Sequence, residues 1–143
     1  MTQPPRADDR RPPFEEVPHT ADRALRIHGR DWPELFTHGA AGMNSLMAPA
    51  LPEPTLTREI ALEALDLESL LVAWLSELAF FAETEALVFT RFEFRQLTRE
   101  RLTALAHGGR AERIDRHVKA VTFHGLSITP EADGWETTVV FDV

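Results

Sequence analysis

The chain has 143 residues, 43% of them hydrophobic, which is single-domain size with enough apolar material for a core that needs no covalent staples. It has no cysteine, which excludes disulfides, thiolate metal sites and thiol nucleophiles and leaves oxygen and imidazole as the strong ligands; a reducing, cytoplasmic setting fits. A formal net charge of −8 speaks against a protein that grips nucleic acid by its phosphates, and it suits solubility, divalent cations or a basic protein partner.

Residues 1–15 are rich in proline and charge and lack the apolar centre of a secretory signal, so they are expected to be a disordered lead-in. The folded domain is expected over residues 16–143. Ala24 to His28 alternates apolar and polar residues, as a half-buried strand does. Asp31-Trp32-Pro33-Glu34 then has the makings of a helix start, with Asp31 as cap, proline in the first turn and Glu34 three residues after the cap. Trp32, Leu35, Phe36, Ala40, Met43 and Met47 give that helix one apolar face, and Pro49, Pro52 and Pro54 end it.

Leu56 to Leu62 alternates loosely and predicts a strand. Asp66 caps a second helix, whose Leu67, Leu70, Leu71, Trp74, Leu75, Leu78 and Phe81 form a wide apolar stripe. Asp66, Glu68, Ser69, Ser76 and Glu77 interrupt this most apolar stretch well short of the ~18 residues that cross a membrane, so no membrane span is expected. Val88 to Leu97 and Leu102 to Ala106 predict partnered strands, with Gly108-Gly109 as a turn and His107 a solvated residue in it. Val118 to Phe123, Leu126 to Thr129 and Trp135 to Val143 predict the last three. Two main α-helices among about seven strands without β-α alternation indicate an α+β single domain with a mostly antiparallel β-sheet.

Four segments are candidates for chemistry. His19-Thr20-Ala21-Asp22 puts a carboxylate at a strand entry, where it either ligates a hard cation or merely caps a turn. In the strand from Val118, alternation places Lys119 with Val121 and Phe123, so its ammonium either meets a carboxylate or snorkels to water. Phe141-Asp142-Val143 brings the Asp142 carboxylate and the terminal carboxylate of Val143 close together; the β-forming Val139, Val140 and Phe141 argue for a docked tail over a frayed one. Glu77 sits at the edge of an apolar stripe, as a solvated boundary or as a ligand.

Together these segments resemble the archease family. The resemblance runs from about Val17 to Val143 and is carried by His19-Thr20-Ala21-Asp22, Gly42-Met43-Asn44-Ser45-Leu46-Met47, Leu70 to Leu78, Val118 to Leu126, and Phe141-Asp142-Val143. It implies a non-enzymatic accessory protein that promotes guanylylation and multiple turnover of an RtcB-type RNA ligase in tRNA splicing and RNA repair, touching RNA only indirectly. It implies a divalent metal ion, calcium or else magnesium or manganese, on Asp22 and Asp142 with the Val143 carboxylate joining them. Lys119 would be the functional lysine beside them and Glu77 a further acidic contributor to ligase activation. The chain departs from the family pattern in having Phe123 where tyrosine is frequent, and in its approach to the lysine, Ile114-Asp115-Arg116-His117. Three other readings stay open: an acidic chaperone or adaptor that works without metal, a stand-alone metal-dependent hydrolase with His124 or His19 as base, and direct RNA binding, for which a net charge of −8 is poor support. The oligomeric state is not legible.

Overall fold

The computed structural model describes residues 11–17, 22–123 and 125–143. Ten elements follow one another: β1 (Phe14–Val17), β2 (Arg23–Gly29), α1 (Trp32–Met47), β3 (Leu56–Glu63), α2 (Leu67–Glu85), β4 (Leu87–Leu97), β5 (Arg101–Arg110), β6 (Ala120–Thr122), β7 (Thr129–Glu131) and β8 (Gly134–Asp142). The strands form two antiparallel sheets, one in the order β1-β2-β8-β6 with β7 also paired to β8, the other in the order β3-β5-β4. This is the α+β architecture the sequence predicts.

The helices start where their caps stand. Asp31 accepts the Glu34 backbone N–H at 2.9 Å and Asp66 accepts that of Ser69 at 2.7 Å, each satisfying an N–H the helix leaves free. The two apolar helix faces meet both sheets in one continuous core that includes Leu25, Phe36, Trp74, Leu102 and Phe141, all at most 1% exposed. Trp74 lies at its centre, its indole N–H donating to the Phe36 carbonyl at 3.1 Å and its ring edge-on to Phe92 at 5.0 Å. Asn44, buried on α1, donates to the Phe89 carbonyl at 2.8 Å and so ties the helix to β4 across a bulge.

Three expectations are corrected. Phe14 and Glu15, assigned to the lead-in, belong to β1, which pairs with β2. Phe14 packs against Gly42 of α1, where a Cβ would stand 3.1 Å from the phenyl ring, and Glu15 and Glu16 pair across the strands with Arg26 and Arg23. Gly108-Gly109 is no turn: β5 runs through both glycines to Arg110, and Gly108 lies so close to β4 that a Cβ there would be 2.2 Å from the Val88 carbonyl oxygen. Finally, Leu126 to Thr129 is mostly irregular, and the strand there is the shorter β7, starting at Thr129.

Candidate metal and partner site

Three of the residues singled out in the sequence, Asp22, Lys119 and Asp142, stand on or beside β8. Its pairing with β2 ends with Arg23 opposite Phe141, so Asp22 and Asp142 are the next residues outward on two adjoining strands, whose backbones run about 4.8 Å apart. Both are half-buried. Val139 and Phe141 point into the core, and alternation therefore puts Asp142 on the face of β8 away from the helices. Val143 is half-buried and packs against the core, as a docked tail does.

On the other side of β8, Ala120 is the register partner of Asp142, and the Lys119 backbone N–H also donates to the Asp142 carbonyl at 2.7 Å. Two consecutive residues of one strand thus oppose one residue of its neighbour, the arrangement of a β-bulge. The burial follows: Val118 and Val121 are buried, while Lys119 and Ala120 between them are exposed. This corrects the expectation that Lys119 shares a half-buried face with Val121. The extra residue breaks the alternation and leaves the lysine in solvent beside the backbone of Asp142. Among the described residues, neither Lys119, Asp22 nor Asp142 has an ion-pair partner within 4.0 Å. The cation next in sequence, Arg23, is taken up by Glu16, whose carboxyl it holds below the usual range through their hydrogen bond.

Glu77 is not brought to this group. The flank of α2 that meets residues 118–121 carries Ser76, Ala79, Phe80 and Glu83. At ~100° of rotation per residue, Glu77 lies about a third of a turn away from that row. His19, Thr20, Ala21 and His124 lie outside the described residues.

The side chains that the register places next to one another at the ends of β2 and β8 are carboxylates, a donor type that suits a hard divalent cation. They are few, and among the described residues no group of three or more histidine, aspartate or glutamate side chains is placed to hold a metal ion. The type of donor fits such a cation, and these side chains alone would leave most of its coordination to be supplied from elsewhere.

A second polar cluster escaped the reading of the sequence. On the outer face of the β3-β5-β4 sheet, the His107 ring meets the Thr57 hydroxyl at 2.8 Å with Nδ1 and the Glu93 carboxylate at 2.6 Å with Nε2. His107 holds the Glu93 carboxyl below its usual range. The signal was present in the alternation of Leu102 to Ala106, which continues through His107 once the glycines are read as strand.

With the geometry in place, comparison with known proteins gives the family. The fold is a two-sheet α+β domain with the candidate residues Asp22, Lys119 and Asp142 at the outer end of one strand. The model of the archease protein family matches residues 14–143, and the chain belongs to that family. It is 36% identical to the protein archease of Methanosarcina barkeri over 91% of this chain and 95% of that one, and 33% identical to the archease of Methanopyrus kandleri over 92% and 99%. The solution structure of a Methanobacterium thermoautotrophicum protein superposes with a TM-score of 0.74 at 33% identity, covering 92% of this chain and 99% of the other. The crystal structure of an archease from Thermotoga maritima, described as a possible chaperone, gives a TM-score of 0.66 at 21% identity over 94% and 97%, a likeness of fold. No helix of the described residues is long and apolar enough to cross a membrane.

Proposed function

We propose that this archease is an accessory protein of an RtcB-type RNA ligase, promoting the ligase's guanylylation and its return to a competent state after each turnover. The observation that carries the reading is the junction at β8, where Asp22 and Asp142 flank the last paired residues of two adjoining strands and the Lys119 backbone bonds to Asp142. Asp22 and Asp142 would hold calcium, magnesium or manganese, with the Val143 carboxylate as a further oxygen ligand. A protein site that supplies two or three of the about six to eight oxygens calcium takes is open and weak. That is the property needed to exchange an ion with a ligase active site rather than to retain it. The bound ion supplies positive charge. The chain positions it, and the exposed ammonium of Lys119 offsets the carboxylates when the site is empty or meets an anionic group of the ligase. Glu77, on another flank of α2, enters as a partner contact. RNA ligation in the cytoplasm is the setting this reading implies.

The test adds the protein in substoichiometric amount to its cognate ligase with GTP, divalent metal and RNA ends bearing a 3′-phosphate and a 5′-hydroxyl. Multiple-turnover ligation is expected to rise, and Asp22→Ala or Asp142→Ala to abolish the rise. Turnover that the wild-type chain leaves unchanged would count against the reading. A chaperone or adaptor acting without metal is favoured instead if stimulation survives both substitutions, and a stand-alone hydrolase if the isolated chain turns over substrate.

A further inference from the structure

Thr57, His107 and Glu93 form one hydrogen-bonded line across the outer face of the β3-β5-β4 sheet. His107 of β5 is the register partner of both Thr57 of β3 and Arg91 of β4. Its Nδ1 lies 2.8 Å from the Thr57 hydroxyl, and its Nε2 lies 2.6 Å from a carboxylate oxygen of Glu93. The imidazole side chain is 14% exposed, whereas Thr57 and Glu93 stand open to solvent. These contacts fix where the protons sit. His107 holds the Glu93 carboxyl below its usual range through their hydrogen bond, and the charges of Arg91 and Arg95 add to the effect. An ionised carboxylate can only accept, so in the neutral ring it is Nε2 that carries the proton. Nδ1 is then a bare lone pair, and the Thr57 hydroxyl donates to it.

This hydroxyl is placed differently from others in the fold. Thr37, Ser45, Thr84, Thr122 and Thr129 donate to backbone carbonyls, which do not take up a proton. Thr57 donates to an imidazole, which does, and the carboxylate behind the ring stabilises it once charged. A hydroxyl, a base within hydrogen-bond reach and a third group that orients the base are the parts of an activated nucleophile. Arg91, opposite His107, brings to this face positive charge of the sign a developing oxyanion requires. Exposure of Thr57 leaves its oxygen open to an electrophile from solution. We infer that Thr57 is a nucleophile that takes the acyl group of an activated carboxylic ester, with His107 as its general base and Glu93 positioning the base. Thr57 Oγ bonds to the ester carbonyl carbon while its proton passes to Nδ1. The bond from that carbon to the alcohol oxygen then breaks, the proton leaves His107 with the departing alcohol, and the product is acyl-threonine. The step needs neither a metal ion nor Asp22 and Asp142, so it is independent of the ligase reading.

The test incubates the full chain with p-nitrophenyl acetate in the presence of EDTA and follows acetylation by intact mass and peptide mapping. An acetyl group is expected on Thr57. Thr57→Val, which keeps the β-branched shape a strand favours, is expected to remove that adduct, and Thr57→Ser to retain it. His107→Gln should slow it about a hundredfold or more, the contribution of a positioned base. Thr103→Val, on the same face of β5, should change nothing. Glu93 has a readout of its own: in proton–nitrogen NMR spectra the His107 ring should carry its proton on Nε2 as a downfield resonance, and Glu93→Gln should lose that resonance and slow acetylation. The inference is overturned by acetylation confined to the N-terminal amine and Lys119, the only lysine of the chain. It is overturned equally by an undiminished rate in a His107→Gln variant that circular dichroism shows to be folded, or by a wild-type ring proton on Nδ1.

Discussion

Asp31 accepts the Glu34 backbone N–H at 2.9 Å, while Glu34 turns its own carboxylate back to the Arg30 backbone N–H at 3.1 Å and to the Arg30 guanidinium at 2.9 Å. The start of α1 thus depends on two carboxylates with separate partners. Asp31→Ala leaves the Glu34 N–H without its acceptor, and urea denaturation is expected to show a loss of ~1 kcal/mol. Glu34 adds a pH dependence. Its carboxyl is held below the ordinary glutamate range, chiefly by the hydrogen bond from Arg30. A depressed folded-state value stabilises the fold above the unfolded value, and the contribution is lost as pH falls through the folded one. The unfolding midpoint of Glu34→Gln should therefore fall less steeply on acidification than that of the wild type; identical acid limbs would argue that the pair contributes nothing.

Among the elements, both helices were legible because Asp31 and Asp66 cap apolar stripes of the right period, and α1 and α2 begin one residue after those caps. The long strands β2, β3, β4 and β8 announced themselves by alternation. What stayed hidden depends on tertiary partners. β1 has only Phe14 and Val17 as apolar residues, and what holds it is Gly42 of α1 and the acids that pair with Arg23 and Arg26. The passage of β5 through Gly108-Gly109 depends on the closeness of β4, which no local pattern reveals. Gly108→Ala would put a Cβ 2.2 Å from the Val88 carbonyl oxygen, a backbone atom that cannot swing aside. A loss of roughly 2–4 kcal/mol is expected from thermal or chemical denaturation. A neutral result would mean that β4 and β5 are farther apart than described. The site shows the same division. Asp22 and Asp142 could be named from the sequence, but the exposure of Lys119 could not, because one extra residue opposite Asp142 reverses the alternation that any periodic reading assumes.

Over the whole molecule, the second and last strands lie side by side and bring Asp22 and Asp142 to one end of the sheet. The core beneath is continuous across both sheets, so that junction rests on a rigid base while its outer end faces solvent. The segment between β5 and β6 reaches the same end and brings Lys119 to the backbone of Asp142. On the proposal above, this acidic junction on a firm base, bordered by an exposed lysine, is where an ion would be held and handed on. The account stands or falls on whether that ion binds there. The direct measurement is the unfolding temperature of the wild-type chain and of Asp22→Asn and Asp142→Asn, titrated with calcium and with manganese. A ligand that binds only the folded form adds ~2.7 kcal/mol at a hundred times its dissociation constant, so the wild-type midpoint should climb with ion concentration and both variants should stay level. A wild-type midpoint that does not move with either ion, or variants that climb as the wild type does, would contradict it.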